Sequence, residues 1–329
     1  MNAVSRRDFL TRGSVAIALA AAGAGASAAA RTGPPAGSPE AMQGPGEPHR
    51  EFPTDPRARL AVSSYPFREV MDSPFYRRRN PGKTGMDLPA FAAMVAERFN
   101  LRNIEIWSPH VQARTPADLA ALRAGIEKPG VRVINIAADL RQSVYDPDAD
   151  RRQAAVDGGR QWVDIAVAIG SPGIRLHVAE AHGAAPDFKL AADSLRQVAD
   201  YGAAHNVVIN LENDDPVSED AFFIVRVLDH ANHPWLHACP DFGNSAMSGD
   251  PEFNLDAMVL LFRHAFCISH MKDSEEGDGG KMYYADVPGT FKIARASGYK
   301  GYFSMEMDRS GDPYAGTTQL IDLSLKELS

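Results

Sequence analysis

The stretch V-V-I-N-L-E at 207–212 decides the fold, because a short apolar run ends there in a polar side chain, Glu212. The same design returns three times, in W-L-H-A-C-P-D at 235–241, A-F-C-I-S-H at 265–270 and Y-F-S-M-E at 302–306. Each run has the length of a buried strand. Parallel strands of this kind bring their C-terminal ends to one face. The pattern therefore predicts that its four terminal residues converge: Glu212, Asp241, His270 and Glu306.

Eight apolar runs alternate with amphipathic stretches over 58–329. Strands are predicted near 59–64, 103–107, 131–136, 173–178, 207–212, 236–241, 266–270 and 301–306. Helices are predicted at 87–99, 116–126, 151–168, 188–204, 219–228, 254–264, 290–296 and 318–328. Near-continuous apolar strands alternating with helices favour a parallel sheet covered by helices, and eight units favour a single α/β domain, a closed (β/α)8 TIM barrel. No G-x-G-x-x-G follows the first strand, so no nucleotide cofactor is expected.

The N-terminal region has the features of an export signal. S-R-R-D-F-L at 5–10 is a twin-arginine pattern, and a weakly apolar Ala- and Gly-rich run leads to A-S-A at 26–28. We expect a twin-arginine signal peptide over 1–28, with the twin-arginine export machinery as a partner and a periplasmic or secreted destination. The apolar run is short for a bilayer span, so no stable membrane anchor is expected.

Residues 29–57 are rich in Pro and Gly and poor in apolar side chains, which predicts a disordered linker or a loosely packed arm. The whole chain has 34 basic and 42 acidic residues, a formal net charge of −8. A nucleic-acid partner normally requires a basic surface, so none is expected. The sequence does not decide the oligomeric state, and a homo-oligomer is one of the alternatives.

Strand alternation predicts that the terminal carboxylates point into the barrel mouth, since Asn210 and Glu212 share a face, as do Ser304 and Glu306. Acidic groups crowded together raise one another's pKa unless a cation neutralises them. We therefore predict one divalent metal ion, bound by Glu212, Asp241, His270 and Glu306. Three oxygen donors and one nitrogen suit Mn²⁺ best or Mg²⁺, and Co²⁺ or Zn²⁺ also fit.

From about residue 59 to residue 329, the sequence resembles the sugar phosphate isomerase/epimerase superfamily, the xylose isomerase-like barrels. The matching pieces are I-E-I-W at 104–107, L-E-N-D at 211–214, P-D-F-G-N at 240–244, H-M-K-D at 270–273 and M-E at 305–306. The resemblance implies that these four ligands hold one metal ion. It also implies that Glu212 and Glu306 exchange the substrate proton.

These residues predict a metal-dependent sugar isomerase or epimerase that abstracts a proton next to a carbonyl and passes through a cis-enediolate. Export favours a small-molecule substrate without phosphate, a free sugar or a keto-glycoside, because sugar phosphates are mainly cytoplasmic. Five residues are candidates for substrate binding: Trp107, Arg175, His177, Asn244 and Lys272. Ketose 3-epimerases of the superfamily carry a histidine where this chain has Asn244. Glu105 shares the strand parity of Trp107, so it is expected to line the mouth or to pair within the barrel.

Three other functions stay open at this stage. The same proton abstraction would serve a dehydratase or lyase acting on a keto-sugar or inosose. A phosphoesterase of the endonuclease type would need two or three metal ions and several additional histidines. A non-catalytic sugar-binding protein would retain the metal but exchange no proton.

Overall fold

The computed structural model describes residues 46–113, 115–214, 217 and 219–329. The predicted signal peptide and the first part of the predicted linker, up to residue 45, therefore lie outside the described residues. Eight parallel strands form one sheet. They are β1 Leu60–Ser63, β2 Asn103–Trp107, β3 Arg132–Ala137, β4 Gly173–Leu176, β5 Val208–Glu212, β6 Leu236–Cys239, β7 Ile268–Met271 and β10 Tyr302–Met305. Their order in the sheet is β6-β5-β4-β3-β2-β1-β10-β7. Between β7 and β10, a small antiparallel hairpin consists of β8 Ser274–Glu276 and β9 Met282–Tyr284.

The sheet closes on itself between β6 and β7. Parallel bridges join Ala238 to Ala265 and Asp241 to His270. The backbone N–H of His270 donates to the carbonyl of Pro240 at 2.9 Å, and the N–H of Phe242 donates to the carbonyl of His270 at 3.1 Å. The predicted single (β/α)8 barrel is thus confirmed.

Helices cover the outside of the barrel. They are α1 Pro74–Arg79, α2 Leu88–Arg98, α3 Pro116–Glu127, α4 Ala149–Ile169, α5 Phe188–Ala204, α6 Ala221–Ala231, α7 Pro251–Phe262, α8 Val287–Ala296 and α9 Pro313–Leu328. From α2 to α9, a polar side chain caps each helix N-terminus by accepting a backbone hydrogen bond. These caps are Asp87, Thr115, Asp148, Asp187, Asp220, Asp250, Asp286 and Asp312. In the part of the chain described, no helix combines the length and the apolar character that a membrane crossing needs.

The barrel interior becomes more polar toward the C-terminal ends of the strands. Val208 belongs to a small buried apolar cluster with Ile268 and Tyr302. Two residues further along β5, Asn210 is fully buried and donates to the carbonyl of Ile174. Glu212 follows at the end of the same strand. Alternation therefore points the last residue of the strand into the mouth, as predicted.

Residues 46–57 pack against the barrel. The Phe52 ring meets Phe266 and Tyr302 edge-on, with centroids 5.4 and 5.8 Å apart. The Arg50 guanidinium donates to the carbonyl and the side-chain oxygen of Asn206. Over these residues the chain is therefore a packed arm.

Candidate metal centre

Four strand ends bring their side chains together in the barrel mouth. Glu212 closes β5, Asp241 lies two residues beyond β6, His270 is within β7 and Glu306 follows β10. One ligand atom from each of the four lies within 4.8 Å of the ligand atoms of the other three. All four side chains are buried. The strand-end pattern thus forms the cluster that the sequence predicts.

The Asp241 carboxylate is held by backbone donors on one side only. Its Oδ1 accepts hydrogen bonds from the N–H groups of Gly243 at 2.7 Å and Asn244 at 2.8 Å. Its Oδ2 is buried, makes no hydrogen bond and lies 3.3 Å from Lys272 Nζ. Burial raises the pKa of Asp241 to about 7, although the Lys272 ammonium lowers it. One oxygen is therefore fixed, and the other is directed at the centre of the cluster.

His270 contacts carboxylates through both ring nitrogens. Its Nδ1 lies 2.6 Å from Glu212 Oε1 and 3.1 Å from Glu306 Oε2, while its Nε2 lies 3.0 Å from Glu105 Oε1. Burial acts to lower the pKa of His270, but the surrounding carboxylates raise it well above its usual value. Glu105 is thus paired within the barrel, which was one of the two outcomes expected of it.

Each of the two glutamates has one oxygen anchored away from His270. Arg175 Nε lies 2.6 Å from Glu212 Oε2, and the Ser63 hydroxyl donates to Glu306 Oε1 at 3.1 Å. Burial opposes ionisation of Glu306, but the neighbouring His270 and Lys272 hold its pKa well below the usual range. Each glutamate therefore has its other oxygen turned to the cluster.

Arg175 lies at the middle of a second network on the β2–β4 side of the mouth. Its Nη1 is 3.3 Å from Asp139 Oδ1, and its Nη2 is 3.8 Å from Asp214 Oδ2. His177 Nδ1 lies 3.4 Å from the same Asp214 oxygen. The Trp107 indole N–H donates to Asp139 Oδ2 at 2.8 Å. A continuous chain of contacts therefore runs from Trp107 through Asp139 and Arg175 to Glu212.

Trp107 lies in an aromatic group at the rim. Phe75 of α1 stacks on it with centroids 5.7 Å apart and an interplanar angle of 12°. Tyr65 meets its ring edge-on at 5.0 Å. Phe75 comes from the long segment after β1, which the structure thereby places at the mouth. Its side chain is 45% exposed.

Lys272 and Asn244 bridge the cluster from the β6–β7 side. Lys272 Nζ donates to Asn244 Oδ1 at 2.9 Å and to Glu275 Oε2 at 3.0 Å, and it lies 3.6 Å from Glu306 Oε2. Asn244 Nδ2 lies 3.5 Å from Glu212 Oε1. These contacts join the predicted metal ligands and the five predicted substrate-binding residues in one network.

The profile of the xylose isomerase-like TIM barrel family matches residues 94–327. The chain belongs to this family. Among curated protein sequences, none matches it significantly. The family assignment confirms the superfamily resemblance found in the sequence.

Solved structures of other proteins share the fold at low sequence identity. The 3-keto-D-glucoside 4-epimerase from E. coli is 15% identical with a TM-score of 0.59, over 81% of this chain and 98% of its own. The D-allulose 3-epimerase from Methylomonas sp., in complex with D-allulose, is 17% identical with a TM-score of 0.61, over 84% and 96%. A barrel from Mycobacterium smegmatis, in complex with magnesium, is 14% identical with a TM-score of 0.62, over 82% and 96%. At these identities the comparison shows the fold.

The donor set of this xylose isomerase-like barrel fits a divalent ion. The buried Asp241 Oδ2 makes no hydrogen bond, and Glu212 Oε1 and Glu306 Oε2 both face His270. His270 Nδ1 faces carboxylate oxygens at contact distance. A cation among them would give the carboxylates a counter-charge and accept the imidazole lone pair. The cluster could therefore hold a metal ion, as the sequence predicts.

Asp139, Asp214 and Glu275 contact the site but carry no role in the sequence prediction. Asp139 follows β3 by two residues, and Glu275 lies in the β8–β9 hairpin. Asp214 belongs to the quoted L-E-N-D piece, where Glu212 alone was assigned a role. Asp139 occupies a strand-end position like that of Asp241, so the same positional signal could have identified it. Glu275 had no such signal, because the hairpin interrupts the regular strand–helix repeat.

Proposed function

We propose that this protein is a metal-dependent sugar isomerase or epimerase that abstracts a proton next to a carbonyl. The proposed substrate is a sugar or keto-glycoside without phosphate. The observation that carries the proposal is the pair Glu212 and Glu306. In the closed barrel, β5, β6, β7 and β10 are neighbours, and the two glutamates come from the outer two of these strands. Both carboxylates contact His270 Nδ1.

The anchoring of the two glutamates defines their proposed roles. Glu212 is oriented by Arg175, and Glu306 by Ser63, so each has one oxygen available toward the centre. One carboxylate takes the proton from the carbon next to the carbonyl, and the other returns a proton from the opposite face, which inverts that carbon. Return of the proton to the neighbouring carbon would give aldose–ketose isomerisation.

Glu212, Asp241, His270 and Glu306 would hold one divalent ion, for which we propose Mn²⁺. Bound there, the ion would polarise the substrate carbonyl and stabilise the negative charge that forms on deprotonation. The remaining predicted residues would orient the sugar hydroxyls around it. We propose Trp107 as a ring platform and the polar groups of Arg175, His177, Asn244 and Lys272 as hydroxyl partners.

A second candidate is elimination on a keto-sugar or inosose. It begins with the same proton abstraction, and a β-oxygen then departs. The Lys272 ammonium favours this candidate, because it is buried 3.6 Å from Glu306 Oε2, where it would stabilise a departing oxygen. A phosphoesterase is less well supported. Among the described residues, one group of potential metal ligands is found, whereas that chemistry would use two or three ions.

We also propose that the chain is exported through the twin-arginine route to the periplasm or outside the cell. The S-R-R-D-F-L motif and the apolar run behind it support this proposal. Export in the folded state would let the protein acquire its metal ion before translocation.

The proposal predicts deuterium incorporation from solvent. Metal-loaded protein is incubated in D₂O with a panel of free ketoses, inososes and keto-glycosides, and NMR follows the carbon next to the carbonyl. We expect deuterium at that carbon for at least one compound, and none after the metal is removed by chelation. Product mass separates epimerisation from elimination, which loses water or the aglycone. Tight binding of a sugar with no deuterium in any compound would instead indicate a binding protein.

A further inference from the structure

The ladder between β6 and β7, the seam at which the barrel closes, is interrupted. Its two parallel bridges join Ala238 to Ala265 and Asp241 to His270. Two residues separate the bridges on the β6 side, whereas four separate them on the β7 side. One of the two residues on the β6 side is Pro240, which has no backbone N–H to donate to a ladder. Backbone pairing therefore fixes the register of the seam at two separate points, with unequal lengths of chain between them.

The second bridge of the seam joins two of the predicted metal ligands. Asp241 lies on its β6 side and His270 on its β7 side. Because side chains alternate between the two faces of a strand, a slip of β7 by one residue would turn the imidazole out of the mouth. The approach of these two ligands thus depends on whatever else holds the seam in register.

Aromatic rings cross the seam at the floor, the end of the barrel opposite the mouth. His237 of β6 stacks on Phe266, one of the four residues between the bridges on the β7 side, with centroids 4.9 Å apart and an interplanar angle of 29°. Phe52 of the arm meets the same Phe266 ring edge-on at 5.4 Å. Just before β6, the Trp235 indole N–H donates to the carbonyl of Gly46. The arm therefore contacts the chain on both sides of the seam.

The same arm residue lies beneath two strands that carry metal ligands. Phe266 precedes His270 by four residues, and Tyr302 precedes Glu306 by four residues on the adjoining strand β10. Four residues of strand span roughly 13 Å. The Phe52 ring contacts both Phe266 and Tyr302, and it is packed against the buried apolar cluster of the floor. One side chain of the arm thus supports the lower ends of β7 and β10.

We infer that Phe52 is a positioning residue for the metal centre. It holds Phe266 against His237 across the seam. It thereby fixes the register in which His270 lies opposite Asp241. Phe52 is at the floor and the ligands are at the mouth, so it acts through β7 rather than by contact with a metal ion or a substrate. The inference rests on the proposed function, because it assigns the arm a part in holding the proposed metal ligands.

Hydrogen–deuterium exchange on the metal-free full chain tests the support of the seam. Phe52→Ala removes the ring, and Phe52→Leu keeps much of its apolar volume. We expect the alanine variant to exchange at least about tenfold faster at the seam amides of Ala238 and His270, with the β2–β3 ladder unchanged. Trp162→Ala is the matched control, because Trp162 is also a partly buried ring packed on the core, but it lies on α4, between β3 and β4.

Calorimetric titration of the same four proteins with Mn²⁺ tests the positioning of the ligands. We expect Phe52→Ala to raise the dissociation constant about 3- to 30-fold, because the mutation acts on the ligands through an intervening strand. Phe52→Leu should restore most of the affinity, and Trp162→Ala should bind as the wild type does. Unfolding in urea, measured beside it, reports any loss of stability that the two alanine variants share.

Each result decides the role of Phe52. Exchange at the seam that is unchanged in Phe52→Ala, or that becomes faster to the same extent throughout the barrel, would overturn the inference. An unchanged dissociation constant beside faster exchange at the seam would also overturn it, and would leave the proposed function intact. A wild type that binds no Mn²⁺ would instead refute the proposed metal centre, and the positioning role would fall with it.

Discussion

Replacing either Glu212 or Glu306 by Gln is expected to lower the rate at which a reactive keto-sugar is converted to its epimer or isomer by about 10³-fold or more. An amide oxygen can still approach a metal ion, but it cannot accept the substrate proton. Each glutamate is held with one oxygen directed at the cluster, by Arg175 and Ser63 respectively, so the amide should take the same position. NMR of a reactive keto-sugar in D₂O, at saturating metal, measures the effect.

The two variants should differ in the step that they still perform, because each glutamate transfers a proton on one face of the substrate carbon. Exchange of the substrate proton would then be lost in one variant, while the other would exchange without completing inversion. Glu127→Gln on α3 is the matched control, since Glu127 is exposed and pairs with Arg123 on the same helix. Normal exchange in both active-site variants would refute the two-glutamate assignment.

Replacing Glu105 by Gln is expected to weaken metal binding by about 10- to 100-fold. Glu105 is fully buried, and its carboxylate lies 3.0 Å from His270 Nε2. An acceptor at Nε2 keeps the proton there and leaves the Nδ1 lone pair for the metal. The amide of Asn135 fixes Glu105 in turn, donating to its Oε1 at 2.7 Å. Isothermal titration with Mn²⁺ measures the change in affinity.

Two further measurements distinguish between two roles of Glu105, the orientation of His270 and a purely structural role. The first is the free energy of unfolding of the metal-free variant in urea. The second is the ¹⁵N chemical shift of His270, which reports the ring tautomer. We expect a changed tautomer population together with the weaker affinity. An unchanged dissociation constant, whatever happens to stability, would show that Glu105 does not position the ligand.

The sequence was sufficient for the barrel and for its four strand-end side chains. Near-continuous apolar runs define both the strands and the residue at which each one ends. Glu212 and Glu306 could therefore be placed at the mouth from local pattern alone. The confirmed fold then brings Asp241 and His270 beside them, since equivalent points of parallel strands meet at one face.

The contacts around those residues depend on long-range packing that no local pattern encodes. The Glu105–His270 pair joins side chains 165 residues apart, and the Arg175–Asp139 pair joins side chains 36 residues apart. Strand parity left two positions for the Glu105 side chain, lining the mouth or paired within the barrel. The curvature of the closed barrel decides between them, because it brings Glu105 to His270. The sequence left the segment before the barrel open between a disordered linker and a packed arm for a similar reason. Its composition is that of a linker, yet the Phe52 ring packs against the rings of Phe266 and Tyr302.

The metal content of the protein tests the central claim most directly. Protein loaded with Mn²⁺ and freed of excess ion is analysed by inductively coupled plasma mass spectrometry, beside Asp241→Asn and the distant control Asp157→Asn on α4. The account predicts one ion per chain in the wild type and the control. It predicts a large loss in Asp241→Asn, because the buried Oδ2 that faces the cluster would no longer carry charge. Two or three ions per chain, or one ion retained unchanged in Asp241→Asn, would contradict it.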